Sequence, residues 1–502
     1  MISRPYFPIV YVRGYAMTQT EVEETVADPY MGLNLGSTKL RQRWTGSIDR
    51  FIFESPLLRL MKEQGYGDVY SNGAEIEMGE LVPERSVWIY RYYESASRDL
   101  GSGQRMEIED YASGLHNFIE QIRDRVCGLA SDPAAQAERN AFSVYLVAHS
   151  MGGLIVRSYL QNHCRKNKIK PPVDKVFTYA TPHGGIDLRF IGNVPGFLTT
   201  NDMDNFNETR MRKYLNLAKE KSVQSLDGAF DPNRFFCLVG TNYRDYDAAL
   251  GLSRHAVGPM SDGLVQIKNA TVEGAPRAFV NRSHSGHYGI VNSEEGYQNL
   301  TRFLFGDVRV DVLFQADNIN LPPDVYRAVV EEGKKVNASY HIEVIGRVRG
   351  ARWDLHRRTV DETSAVFADY PRIKQSKETP IQLMTVFLMK TQRVVKQRKS
   401  MGFSIDLGVV VPDYELDGSW FTKHHYDGGY LFRDKINLEV TFDDTGAPKI
   451  RFGLDSSTPN RATRMAETSE GANGAFECRI PIEQNTRPGL SGLLILRASS
   501  WE

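Results

Sequence analysis

The sequence predicts an α/β domain with a mostly parallel sheet and helices on both faces, followed by an all-β, sandwich-like domain. Three observations predict it. Short, nearly continuous apolar runs alternate with helical stretches up to about residue 306, the pattern of parallel strands buried on both sides. A serine stands at a strand-to-helix junction between small residues, in Ala148-His149-Ser150-Met151-Gly152. After Asp307 strand-like runs follow one another, separated by turn-rich pieces such as DDTGAP and SEGANG, the texture of a sandwich.

A chain of 502 residues is too long for one ordinary domain. Its 41% hydrophobic and 25% charged residues are near the globular average, so it can bury a core without staples. The formal net charge of -1 provides no global field for nucleic acid. Cys127, Cys164, Cys237 and Cys478 are scattered, without zinc-ligand spacing, and fit a reducing compartment. No apolar run is long enough to cross a bilayer. The start, MISRPYFPIVYV, is interrupted by Pro5 and Pro8 and does not read as a signal peptide. The expectation is a cytoplasmic protein, with signal-independent export left open, and with no cofactor and no metal. His424-His425 with Asp427 is a weak metal-like cluster, and paired exposed histidines are seldom ligands. Oligomeric state is not legible.

In order, the α/β strands are expected at 8–12, 87–93, 142–148, 175–181, 235–240 and 277–281, with a periodic helix over 108–126. Two segments break the rhythm. Residues 15–55 form an insertion after the first strand, and 186–232 separate two strands by more than a loop's usual length. The second contains IDLRFIGNVPGFL (186–198), apolar enough to cover a pocket, and is expected to be a lid or cap. The catalytic domain is expected over 1–306 and a β-rich accessory domain over 308–502. Its runs are VRVDVLF, ASYHIEVIG, IQLMTVFLM, FSIDLGVVV, INLEVTF, KIRFGL, FECRIPI and GLLILRA. Lys390, Arg393, Lys396, Arg398 and Lys399 follow the third of these. They read first as a solvated loop ending an aggregation-prone strand, and second as an anionic-surface site.

The apolar run YLVA leads directly into Ser150 and then into a helix. A serine on so sharp a turn is held in a strained conformation that leaves room only for small neighbours. Ala148 and Gly152 supply them, and Gly153 lets the helix approach the sheet. Ser150 would thus stand at a helix N-terminus, where N–H groups stabilise developing negative charge. The bland alternative is a serine helix cap.

Four blocks, PIVYVRGYA, AHSMGGL, ATPHGG and SDGLV followed by GHYGIVNSEEGYQNL, together resemble the lipase/esterase families of the α/β-hydrolase superfamily over about residues 5–306. The resemblance implies a Ser-His-Asp triad in the chain order serine, acid, histidine. Ser150 would be the nucleophile and Asp262 of SDGLV the acid. Two histidines, His284 and His287, precede the last helix. GHYGIVNS matches the family's histidine block at His287, which is taken as the base, with His284 as a supporting polar group or loop residue. Two backbone N–H groups would form the oxyanion hole, from Met151 and from Tyr15, with Ala16 as the alternative to Tyr15. The family's His-Gly at that loop is Arg13-Gly14 here, a small change for a backbone contribution. His183 of ATPHGG reads as a packed loop residue. Related bacterial lipases bind calcium through an aspartate that is Gly289 in this chain, so no calcium site carries over.

The expected activity is hydrolysis of a carboxylic ester, on a lipid or other hydrophobic ester, through an acyl-enzyme. A phospholipase, thioesterase or acyltransferase would use the same triad. A non-catalytic binding protein on a hydrolase fold would be marked by loss of a triad member, and every candidate is present. The expected partner is an acyl ester or lipid, with peripheral contact to a lipid surface as a further option, and no nucleic acid.

Overall fold

The computed structural model describes residues 6–14, 16, 19–71, 74–75, 81–186, 205–245, 259–286, 289–349, 351–393, 400–416, 424–442, 448–470 and 475–501. By its internal contacts the chain divides into two units. One is residues 1–277 with 282–300, and the other is 278–281 with 301–502. The division falls inside the helix Glu294–Phe305, not at the 306/308 boundary expected from sequence.

The first unit is organised by parallel strands in the order Phe235–Gly240, Val173–Tyr179, Val144–His149, Ile9–Val12, Ser86–Ile89, Gly67–Asp68. Val144–His149 lies among them and pairs in parallel with Ile9–Val12 and Val173–Tyr179. Every residue of that central strand is buried, which is why the run reads as unbroken apolar sequence rather than as an alternation. Each strand lies within two residues of its expected start. The largest shortfall is at 87–93: the strand stops at Ile89, and Tyr92–Ala96 forms a 3₁₀ turn. The helix Ile108–Cys127 starts on a capping box between Glu107 and Asp110 and buries Tyr111, Leu115, Ile119 and Ile122 on one face.

The insertion at 15–55 has structure of its own, namely a helix, Gln19–Ala27, and an antiparallel hairpin of Ser37–Gln42 with Ile48–Phe53. Ser55 then caps the helix Pro56–Gln64, its side chain accepting from Leu58 N, with proline in the first turn.

All eight runs expected after Asp307 are strands. They form two antiparallel sheets, one ordered Ile381–Leu388, Val308–Asn320, Gly489–Ser500, Phe476–Gln484, Glu467–Glu470. The other is built on Val336–Val348, Met401–Leu416, His424–Phe442 and Pro448–Leu454. Val308, Val310, Val312 and Phe314, on alternate positions of one strand, share a single core with Phe403, Ile405 and Leu407 of the other sheet. Two short helices, Pro323–Val330 and Tyr370–Gln375, were not expected. The indole N–H of Trp501 donates to Phe303 O at 2.6 Å while its ring packs on Phe303 and Phe387. That cluster explains why residues 301–305 count with the second unit. Of the basic run, Lys390 and Arg393 lie among the described residues, beside a 3₁₀ turn at Lys390–Gln392; Lys396, Arg398 and Lys399 lie outside them.

Among the described residues no helix is long and apolar enough to cross a membrane.

Candidate active site

Ser150 sits at φ 51°, ψ -125°, a conformation that a residue with a side chain adopts only under constraint. The constraint is visible on every side. Its N–H donates to Tyr179 O on the neighbouring strand, and its carbonyl accepts from Thr181 Oγ1 at 2.9 Å. A methyl at Gly152 would strike Val12 O at 2.2 Å, and one at Gly153 would strike Thr181 Oγ1 at 2.2 Å. A residue without a side chain is therefore required at 152 by close backbone approach and at 153 by the Thr181 side chain. The Ser150 side chain makes no capping bond to the helix Met151–Ser158, so the helix-cap alternative does not hold.

The Ser150 hydroxyl instead lies 2.9 Å from Nε2 of His284. Nδ1 of the same ring lies 2.9 Å from Oδ2 of Asp262. The other carboxylate oxygen of Asp262 accepts from Leu264 N at 3.0 Å and Val265 N at 2.7 Å. The two oxygens are thus divided: one is fixed by the SDGLV turn, and the other faces the imidazole. Gly240 ends its strand against this residue, where a methyl would come within 2.8 Å of Asp262 Cβ. All three side chains are buried.

The bridging ring is that of His284, where the sequence favoured His287, which lies outside the described residues. The physical reason is that the chain turns just beyond the strand end at Val280 and brings the first histidine back toward Asp262. The backbone then locks it: His284 N donates to Asp262 O, and Ile290 N closes the turn on Ser283 O.

One further histidine, adjacent to the serine, was not singled out. His149 is buried, and its Nε2 lies 2.9 Å from His284 O. Burial first, and the neighbouring His284 second, push its pKa down to about 3. It is neutral at ordinary pH, and Nε2 acts as donor to the carbonyl.

Met151 begins the helix that follows Ser150, so its N–H has no intrahelical acceptor. Tyr15 lies outside the described residues. The alternative, Ala16, has its N–H committed to the Tyr93 hydroxyl at 2.6 Å. The Tyr92 hydroxyl donates to Arg13 O at 2.9 Å. These two tyrosines, read from sequence as the end of a strand, hold the 13–16 loop against the serine. At Gly14 a methyl would meet Ser150 Cβ at 2.6 Å.

His183 is a packed residue, with Nε2 3.1 Å from Thr178 Oγ1 and a pKa held well below the ordinary value by burial and then by Arg157. The fully buried Arg157 donates to His183 O, Val223 O and Ser225 O, and burial lowers its pKa to about 10. It fastens Val223 and Ser225, in the described stretch 205–232 of the 186–232 segment, to the helix Met151–Ser158. Residues 187–204, the larger part of the apolar stretch expected to cover the pocket, lie outside the described residues. Among the described residues no group of three or more His, Cys, Asp or Glu could hold a metal ion.

A hydroxyl bonded to an imidazole whose far nitrogen faces a buried carboxylate can pass its proton to that ring as it attacks an electrophile. The parallel strands around Val144–His149 and the strained serine at that strand's end agree with the family comparison, in which residues 100–231 match the PGAP1-like alpha/beta domain. The chain carries an α/β-hydrolase domain. Among solved structures, the chain is similar to the mature lipase BlEst2 of Bacillus licheniformis, with 16% identity over 60% of this chain and 92% of that one and a TM-score of 0.31. It is also similar to phospholipase PlaB of Legionella pneumophila, with 14% identity over 84% of this chain and 89% of that one and a TM-score of 0.36. No curated protein matches the sequence. The family match lies wholly inside the hydrolase domain and includes Ser150 but neither Asp262 nor His284.

Proposed function

We propose that the hydrolase domain cleaves carboxylic esters through an acyl-enzyme on Ser150, with His284 as general base and Asp262 orienting it. The observation that carries this reading is the single His284 ring lying 2.9 Å from Ser150 Oγ and 2.9 Å from Asp262 Oδ2. Ser150 Oγ attacks the carbonyl carbon while its proton passes to His284 Nε2. The resulting oxyanion accepts from Met151 N–H and from a second donor in the Arg13–Ala16 loop, for which Tyr15 remains the choice. Collapse expels the alcohol, which takes the proton from Nε2. Water then attacks the acyl group, gives a proton to Nε2, and the acid leaves as Ser150 regains its proton. Asp262 holds the ring in the tautomer with Nδ1 protonated. A hydrophobic acyl group is favoured by the apolar run 186–198 in the sequence. The β-rich unit, which contributes none of these three side chains, acts as an accessory module.

The test is labelling of the purified full-length protein with a fluorophosphonate, alongside turnover of p-nitrophenyl esters of increasing chain length. Wild type should be labelled and Ser150→Ala should not. A wild-type protein that neither reacts with the probe nor hydrolyses any ester would end this reading.

A further inference from the structure

The hairpin Ser37–Phe53 has no role in the chemistry above, and its surface is unusual. It is a two-stranded sheet that pairs with no other strand among the described residues. Such a ribbon is marginal in water by itself. Register places Thr38 opposite Ile52, Leu40 opposite Arg50 and Gln42 opposite Ile48, so these six residues share one face. Leu40, Ile48 and Ile52 on that face are 59%, 65% and 72% exposed, and Trp44 at the turn is 97% exposed. Clustered exposed apolar side chains of this kind mark a contact surface.

The charge says what kind. Lys39, Arg41, Arg43 and Arg50 stand against one acid, Asp49, in a chain whose formal net charge is -1. Docking the hairpin on a second copy of itself would bring like charges together. A surface that is apolar below and anionic above satisfies both sets of residues: tryptophan favours the membrane–water interface, and basic side chains favour anionic headgroups.

The hairpin is also tied to the active-site rim. Its stem, Met31–Leu33, accepts from Arg13 Nη1 at Met31 O and from Asn292 Nδ2 at Gly32 O. Leu33 O accepts from Leu57 N, beyond the hairpin. Arg13 precedes the glycine packed on Ser150, and Asn292 follows the turn that carries His284. Each six-residue strand reaches about 20 Å from that stem.

We propose that the hairpin Ser37–Phe53 is a membrane-docking element that seats the hydrolase domain on an anionic lipid bilayer. It requires neither a lid nor the basic run after residue 389. The experiment is flotation of full-length protein with vesicles of phosphatidylcholine, and of phosphatidylcholine and phosphatidylserine in equal parts. Wild type and Ser150→Ala should both float with the anionic vesicles, less with the neutral ones, and less at high salt. The triple variant Trp44→Ser/Ile48→Ser/Ile52→Ser should partition at least about tenfold more weakly. Its thermal unfolding and its turnover of a soluble short-chain ester should match wild type. The proposal is overturned if the triple variant floats like wild type, or if wild type does not float. It is equally overturned if wild type sediments as a dimer that the triple variant dissolves while neither binds vesicles. Because binding by Ser150→Ala needs no catalysis, a failure here leaves the hydrolase reading standing, and the converse also holds.

Discussion

His149 Nε2 donates to the carbonyl oxygen of His284 at 2.9 Å, while the His284 ring bonds the hydroxyl of the very next residue, Ser150. Two adjacent residues of the turn therefore hold the backbone and the ring of one histidine. On the proposed mechanism His149 is a positioning residue, since it touches no reacting atom.

His149→Phe should lower kcat by roughly 10–100-fold with little change in KM, because small displacements of a general base cost rates of that order. His149→Gln retains a donor at similar reach and should recover part of the loss. Steady-state kinetics on a soluble ester decide it. Equal losses in both variants would mean that His149 only fills space.

His284→Ala should be as damaging as Ser150→Ala, each removing on the order of 10⁴-fold or more of kcat. His287→Ala should be much milder. The same esterase assay on the three variants settles which histidine is the base, and a dominant His287 would reverse the assignment made from geometry.

Stability should fall in mild acid, with a defined sign. His149 and His183 are held neutral, the first with a pKa of about 3 and the second well below the ordinary value, by burial in both cases. On unfolding each returns to about 6.5. Between the two values the unfolded chain binds a proton that the folded chain refuses. Stability is therefore full above about pH 6.5 and drains as pH falls. His149 alone should cost about 1 kcal/mol on going from about pH 7.5 to 5.5. Urea unfolding at the two pH values measures it, and His149→Phe should reduce the difference. A midpoint independent of pH would contradict the assignment of neutral buried rings.

Arg157→Met should destabilise the hydrolase domain by about 2 kcal/mol, since the buried His183 O and the half-buried Val223 O would lose this donor, while Ser225 O keeps Gln161 Nε2. Loss should appear in the unfolding midpoint and in faster proteolysis within 205–232. A variant as stable as wild type would show that water replaces the guanidinium.

The sequence by itself determined the local pieces of this protein. Continuous apolar runs marked the parallel strands, because a strand covered on both faces has no polar side to show. Turn-rich pieces between successive strand-like runs marked the sandwich strands. The small residues around Ser150 marked the turn, because approaches of 2.2 Å at Gly152 and Gly153 exclude even a methyl. Tertiary structure alone decided which distant groups meet. His284 and His287 are three residues apart and alike in composition of surroundings, and only the closure of the 283–290 turn on Asp262 brings the first to the serine. The bond from Ala16 N to Tyr93, which removes one oxyanion donor from consideration, joins residues 77 apart in the chain. Trp501 packing on Phe303 moved the domain division into a helix. Periodicity along a chain records which side of an element is buried. It does not record what that side is buried against, and the chemistry proposed here depends on the latter.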